Sequence, residues 1–245
     1  MILLSLAFFG VAWLYASVGF GGGSAYLSLL VLQGLGHEQL PLVSLTCNIL
    51  VAGTSFFHYR RRGHFSWPLF WPFMLGSLPF AYWGGRLPID KKLFLLILGL
   101  SLLAAALRLL ITVPANTHER KPAFFVQLGI GAVIGFVSGL VGIGGGIFLS
   151  PIMLSLGWGK AKEVAAIASA FILVNSLAGL CGQWTKTPDL QWTAYWPLFL
   201  PVLVGAQCGS RLGAGIAFSQ NKVRLVTAFL SLFASLRILY SFLLF

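Results

Sequence analysis

The sequence predicts an all-α integral membrane protein built from two homologous repeats, inverted relative to each other. Three observations predict it. Of 245 residues, 58% are hydrophobic and only 9% are charged, where a soluble domain carries roughly 25% charged residues. The apolar stretches are continuous, so they read as helices; barrel strands would alternate apolar with polar residues. Short motifs also recur in the same order along the two halves of the chain. Lipid tolerates so apolar a surface provided the backbone is satisfied within each helix.

Apolar segments fall at 2–18, 24–35, 40–59, 66–85 and 92–112, then at 123–141, 147–157, 163–184, 192–210 and 222–244. A spanning helix needs roughly 20 residues. Most segments qualify, giving roughly eight spanning helices and up to ten helical segments. The stretches 24–35 and 147–157 are too short, and each follows a glycine run. Each repeat is therefore expected to hold a glycine-broken or re-entrant helix pair. The N-terminus lacks a basic leader and reads as the first membrane segment rather than a cleaved signal peptide.

The repeat is carried by matched motifs. Gly19-Phe-Gly-Gly-Gly23 returns as Gly142-Ile-Gly-Gly-Gly146, Trp67–Pro72 as Trp192–Pro197, and Gly84-Gly-Arg-Leu87 as Gly209-Ser-Arg-Leu212. Leu107-Arg108 returns as Leu236-Arg237. The repeats are placed at 1–113 and 122–245, joined by a polar linker at 114–121. Loop charge points to inversion. Arg60, Arg61 and Arg62 sit in the second loop of the first half, whereas Lys160 and Lys162 sit in the first loop of the second half. The pairs Lys91/Lys92 and Lys222/Arg224 are basic in both halves and cut against it. The net charge of +11 lies in these interhelical clusters, which excludes a nucleic-acid face. Cys47, Cys181 and Cys208 read as small buried thiols. The histidines His37, His58, His64 and His118 form no metal-type pair.

Three groups of residues are candidates for binding a substrate. The first is the glycine runs, Gly21, Gly22, Gly23 with Ser24, and Gly144, Gly145, Gly146. Glycines disfavour helix, and a half-helix starting after such a break, at Ser24 or Ile147, points its N–H groups and positive dipole end at an anion. Close helix packing through small residues is the other reading. The second group is Thr46 and Asn48 with their counterparts Ser169 and Asn175, polar residues within apolar segments. They serve either as cavity-facing donors or as interhelical hydrogen bonds. The third is the matched pair Arg86 and Arg211, whose guanidinium groups either fork onto an oxyanion or snorkel to the interface; for Arg108 and Arg237 snorkelling is preferred.

The carboxylates Glu38, Asp90, Glu119, Glu163 and Asp189 all fall in loops or at segment ends. A cation site or proton relay usually places a carboxylate at membrane depth, so an anionic substrate is favoured. Proton coupling would then fall to a histidine such as His58, or to the substrate. Gly21-Gly-Gly-Ser24 is not a P-loop, because no lysine follows it. No catalytic residue, metal site or cofactor is expected, and the chain does not read as an enzyme.

Gly142-Ile-Gly-Gly-Gly-Ile-Phe-Leu-Ser-Pro-Ile-Met-Leu154 resembles the glycine-rich signature of the sulfite exporter TauE/SafE family. Its echo at Gly19–Leu30, the Arg61-Arg62-Gly63 stretch before Trp67, and Gly-Ser-Arg-Leu at 209–212 resemble it too. The resemblance spans essentially the whole chain. It implies a multi-pass protein of the cytoplasmic membrane that moves a small sulfur-containing anion, such as sulfite or an organosulfonate like sulfoacetate. One departure is Ser28 where the second repeat has Pro151, which implies unequal half-helices. The expected partners are that anion and the lipid bilayer, with no nucleic acid; the glycine-rich apolar faces leave room for a homodimer. Alternating access about a central site is the expected mechanism. An anion channel of the same fold and a non-transporting scaffold are the alternatives.

Overall fold

The computed structural model describes residues 2–34, 36–110, 122–186, 192, 195–215 and 220–243. The linker at 114–121, with His118 and Glu119, and Asp189 lie outside the described residues. Among those described, ten α-helices occur and no strand: α1 (Ile2–Ala16), α2 (Gly23–Leu32), α3 (Gln39–Arg61), α4 (Trp67–Arg86), α5 (Lys91–Leu110), α6 (Phe124–Val141), α7 (Gly146–Leu156), α8 (Ala161–Trp184), α9 (Trp196–Gly215) and α10 (Gln220–Leu243). The protein is an all-α integral membrane protein. Each helix falls on one of the ten apolar segments. Among the described residues α3, α5, α6 and α8 are by length and composition long and apolar enough to cross a membrane. α4 and α9 match them in length, with 20 residues each, but proline, glycine and serine dilute their apolar run.

Local chemistry sets the helix ends. Pro68 lies in the first turn of α4, where its missing N–H costs nothing. Asp90 precedes α5 and its Oδ1 accepts the Leu93 N–H at 3.0 Å, satisfying an otherwise orphaned donor. Arg60 and Arg61 occupy the last turn of α3, facing the negative end of its dipole.

In lipid there is little hydrophobic drive to bring helices together, so close packing of small residues takes its place. α4 and α6 show how. The Cβ missing from Gly131, Gly135 and Gly139 would strike the Phe73, Ser77 and Ala81 carbonyls, three contacts in step at four-residue spacing. α1 and α9 repeat the device, with Gly205, Gly209 and Gly213 against the Phe9, Trp13 and Ser17 carbonyls. In both pairs the numbers rise together, so α4 runs parallel to α6 and α1 parallel to α9. By contrast α3 meets α8 antiparallel, with Leu45 beside Gly179 and Gly53 beside Leu173. α5 and α10 are antiparallel too, with Gly99 against Leu239 and Lys92 over the Phe242 ring.

These directions give the molecule two ends. α3 starts and α8 finishes at one end, with α4 finishing and α5 starting beside them around a common cavity. At the other end Arg62 lies against Gly215, and the Lys162 ammonium donates to the Ala214 and Gly215 carbonyls at 3.5 and 3.4 Å. α1 leads from the cavity end and α2 returns to it; α6 leads from the basic end and α7 returns there. Each hairpin starts and finishes at the same end, and the two enter from opposite ends.

The candidate anion site between two helix breaks

Each hairpin turns on glycines in left-handed conformation. The N-cap of α2 is Gly22, at φ 84°, and the N-cap of α7 is Gly145, at φ 83°. A side chain there would strain the backbone by about 1–3 kcal/mol. The half-helices thus begin at Gly23 and Gly146, one residue before Ser24 and Ile147. Neither N-terminus carries a side-chain cap; in α7 the Phe148 N–H turns to the Gly145 carbonyl at 3.1 Å, and the N–H groups of Gly23, Ser24, Gly146 and Ile147 come before the first intrahelical bonds.

The breaks meet against α3 and α8. The Cβ that Gly21 lacks would lie 2.6 Å from Asn48 Oδ1 and 2.8 Å from Ile172 Cγ2. The one that Gly144 lacks would lie 2.8 Å from Asn48 Nδ2, 2.9 Å from Ile172 Cγ2 and 3.1 Å from Ser176 Oγ. Asn48 and Ile172 therefore form a floor shared by both breaks, polar on one side and apolar on the other. Asn48 Nδ2 donates to the Ile143 carbonyl at 3.0 Å. Ser44 Oγ donates to the Gly142 carbonyl at 2.8 Å and reaches the Gly23 carbonyl at 3.3 Å, so one hydroxyl ties the two breaks together. Residues 21–27 and 141–147 are all buried, and Asn48 and Ser176 are 0% exposed. Asn48 Oδ1 and Ser176 Oγ have no hydrogen-bond partner. Water-free burial of an unpaired polar atom costs about 1–3 kcal/mol, and a bound ligand would relieve that cost.

The other residues singled out in the sequence are placed as follows. Ser24 is buried, and its carbonyl accepts from Ser28 Oγ at 2.6 Å. Thr46 Oγ1 donates to the Leu42 carbonyl at 2.8 Å, and Ser169 Oγ to the Ala166 carbonyl at 2.8 Å. Asn175 is buried with neither amide atom partnered. Arg86 and Arg211 are exposed at the ends of α4 and α9, away from the Asn48 floor and at opposite ends of the molecule. Arg108 reaches inward, donating to the Pro151 carbonyl at 3.4 Å. Only Cys47 is buried; Cys181 and Cys208 are exposed, because the apolar surroundings of those two are an outer face rather than a core. Ser44 and Ser176 were not singled out. In a helix sequence a serine reads as a small packing residue, and only the crossing of α3 and α8 shows which serines meet a break.

A cavity of about 330 Å³ opens at one end of the molecule, lined by Glu38, Pro41, Pro88, Leu140, Gln183 and Lys186 among others. Its wall backs onto the second break: Pro41 Cα would lie 2.6 Å from a Cβ on Gly142. Gln183 Nε2 donates to the Gly139 and Leu140 carbonyls at 2.9 and 3.1 Å, satisfying the C-terminal turn of α6. Lys186 donates to the Leu87 carbonyl at 3.1 Å. Burial lowers its pKa, and Glu38 opposes that shift.

Comparisons with known proteins agree with this architecture. The family described as "Sulfite exporter TauE/SafE" matches residues 4–238. The chain is 31% identical over 251 residues to "Probable membrane transporter protein y4hK" of Sinorhizobium fredii, covering 97% of each. It is 30% identical over 150 residues to "Probable membrane transporter protein MJ0441" of Methanocaldococcus jannaschii, covering 55% of this chain and 52% of that protein. No solved structure matches. With ten helices, two glycine breaks at one floor and a match along nearly its whole length, the chain belongs to the sulfite exporter TauE/SafE family.

Proposed function

We propose that this protein is a secondary transporter that carries a small sulfur oxyanion, sulfite or an organosulfonate such as sulfoacetate, across the cytoplasmic membrane by alternating access. The observation that carries the reading is the convergence of two uncapped helix N-termini on one buried floor with unpaired polar atoms. Helix N-termini attract anions through their free N–H groups and dipoles. A sulfur oxyanion is small and presents several acceptor oxygens to such donors. The site is closed to both ends, which suits an occluded state of a carrier better than an open channel.

Antiparallel packing of α3 on α8 and of α5 on α10 supports the inverted-repeat reading. The glycine interlocks suit rocking bodies that are not the two repeats. α1 is locked to α9 and α6 to α4, so the rocking units mix helices from both halves of the chain, with α3 and α8 crossing between them. The positive-inside rule places the end with Arg60, Arg61, Arg62, Lys160 and Lys162 in the cytoplasm. A cysteine substituted at His64 should then resist an impermeant thiol reagent in intact cells and react after permeabilisation; labelling in intact cells reverses the orientation.

The proposal is tested by thermal unfolding of the purified protein in detergent with sulfite, sulfate, thiosulfate, sulfoacetate, taurine and chloride. A ligand that binds only the folded state at 100 times its Kd stabilises by about 2.7 kcal/mol. A saturating rise in midpoint is expected with a sulfur oxyanion and not with chloride. If none of the six shifts the midpoint, the anion assignment fails.

A further inference from the structure

The amide of Asn48 has a fixed orientation. Its Nδ2 donates to the Ile143 carbonyl at 3.0 Å, and turning the group over would set two acceptor oxygens face to face. Oδ1 must therefore point the other way, towards the Gly21 backbone, so close that a Cβ there would lie 2.6 Å from it. There it is fully buried and accepts no hydrogen bond. An unpaired acceptor is a strange fixture for a site that holds an anion. A bare oxyanion offers it only lone pairs, and the two repel.

Charge gives a second, independent constraint. No lysine, arginine or histidine atom is among the three nearest that a Cβ on Gly21, Gly23, Gly144 or Gly146 would meet, and Arg108, which reaches inward, bonds to the Pro151 carbonyl beyond the first turn of α7. The positive field at the floor is that of two helix N-termini, each equivalent to about half an elementary charge. Together they balance about one negative charge. A dianion would be left with a full unit uncompensated in a buried site, and the Born cost of burying an ion rises steeply with its charge.

We infer that the transported species is a singly charged oxyanion that still carries one acid hydrogen, hydrogensulfite rather than the sulfite dianion, and that Asn48 Oδ1 accepts that hydrogen while Ser176 Oγ and the first-turn N–H groups of α2 and α7 donate to the remaining oxygens. This rests on the anion-transport reading above. The substrate then brings its own proton, so each turnover moves one proton with each sulfur atom and the protein needs no titrating side chain at the floor. Tyr26, beside Gly22, and Cys47, next to Asn48 in the chain, are both of types uncharged at neutral pH. Of the two candidates above, hydrogensulfite is therefore the preferred substrate: a fully ionised sulfonate has no acid hydrogen, leaves Oδ1 unpaired and is carried less well.

The experiment uses the whole protein in liposomes with an entrapped pH indicator, and the sulfite-induced thermal shift in detergent. Both are recorded on either side of the titration of hydrogensulfite, with methanesulfonate as the monoanion that lacks an acid hydrogen. The sulfite-induced shift and the initial rate should follow the protonated fraction of the anion, falling as pH rises, and sulfite entry should acidify the lumen beyond protein-free controls. Methanesulfonate should compete about tenfold more weakly than hydrogensulfite, the factor that about 1.4 kcal/mol of one missing hydrogen bond gives. In Asn48→Leu, which removes the acceptor, that discrimination should vanish while residual binding of both anions persists; Asn48→Gln, which keeps an acceptor, should retain part of it. A rate that rises with pH, or equal competition by methanesulfonate in the unaltered protein, overturns the inference but leaves the anion site standing. If neither sulfite nor methanesulfonate binds at any pH, both the inference and the anion reading fall.

Discussion

Gly145→Val should abolish transport while leaving the protein folded in the membrane, and Gly22→Val should do the same from the other break. Both positions combine two obstacles. At φ 83° and 84° a β-branched residue is strained. Space is lacking as well: a Cβ on Gly145 would lie 2.8 Å from Ile134 Cγ2 and 2.9 Å from Phe171 Cε1, and one on Gly22 would lie 3.0 Å from Tyr26 Cε2 and 3.1 Å from Val11 Cγ1. The start of α7 or α2 must shift to make room, and its N–H groups move with it. A displacement of about 1 Å costs on the order of 100-fold where geometry carries the function. Flux into proteoliposomes measures it, with gel filtration in detergent as the check on folding. Undiminished flux in both variants would sink the assignment of the site to the breaks.

Asn48→Asp should add a second pH dependence to transport, on top of the one the substrate's own proton gives the unaltered protein. An ionised carboxylate between the two N-termini takes the place of the substrate's charge and must turn one oxygen towards the Ile143 carbonyl, which now accepts a 3.0 Å bond from Nδ2. Protonation removes both penalties: the neutral carboxyl donates to Ile143 and keeps an acceptor for the substrate. Activity should therefore be lost by about 100-fold at high pH and recover as pH falls through the pKa of the new carboxyl, each 1.4 kcal/mol of repulsion being worth a factor of ten. The check is the ratio of variant to unaltered flux against pH. A ratio that stays flat would place Asn48 away from the anion.

Much of the fold was legible because lipid imposes one rule, that an apolar run long enough to be a helix is a helix. All ten helices follow from it, and the breaks follow from three consecutive glycines at Gly21–Gly23 and Gly144–Gly146. Within the site the sequence was less telling. Polarity at membrane depth pointed to Asn48, but it pointed equally to Thr46 and Ser169, whose hydroxyls bond to their own helix three or four residues back. Matched position suggested that Arg86 and Arg211 act together, yet matched helices that run in opposite directions deliver them to opposite ends. The glycines at four-residue spacing in α6 and α9 were visible as letters; that their partners are the carbonyl rows of α4 and α1 depends on a pairing no local pattern encodes.

The same interlocks have a consequence for how the molecule is made. α1 finds its close-packed neighbour in α9, α3 in α8, α4 in α6 and α5 in α10, so four of the first five helices leave the ribosome with their main partners still unsynthesised. Until α6 arrives, the carbonyls of Phe73, Ser77 and Ala81 border a groove that only a glycine face can enter closely. Assembly must wait for the second set of helices, and the first half alone has no compact state to settle into. A premature stop after α5 would thus leave not half a working carrier but an open surface, the kind that membrane quality control removes.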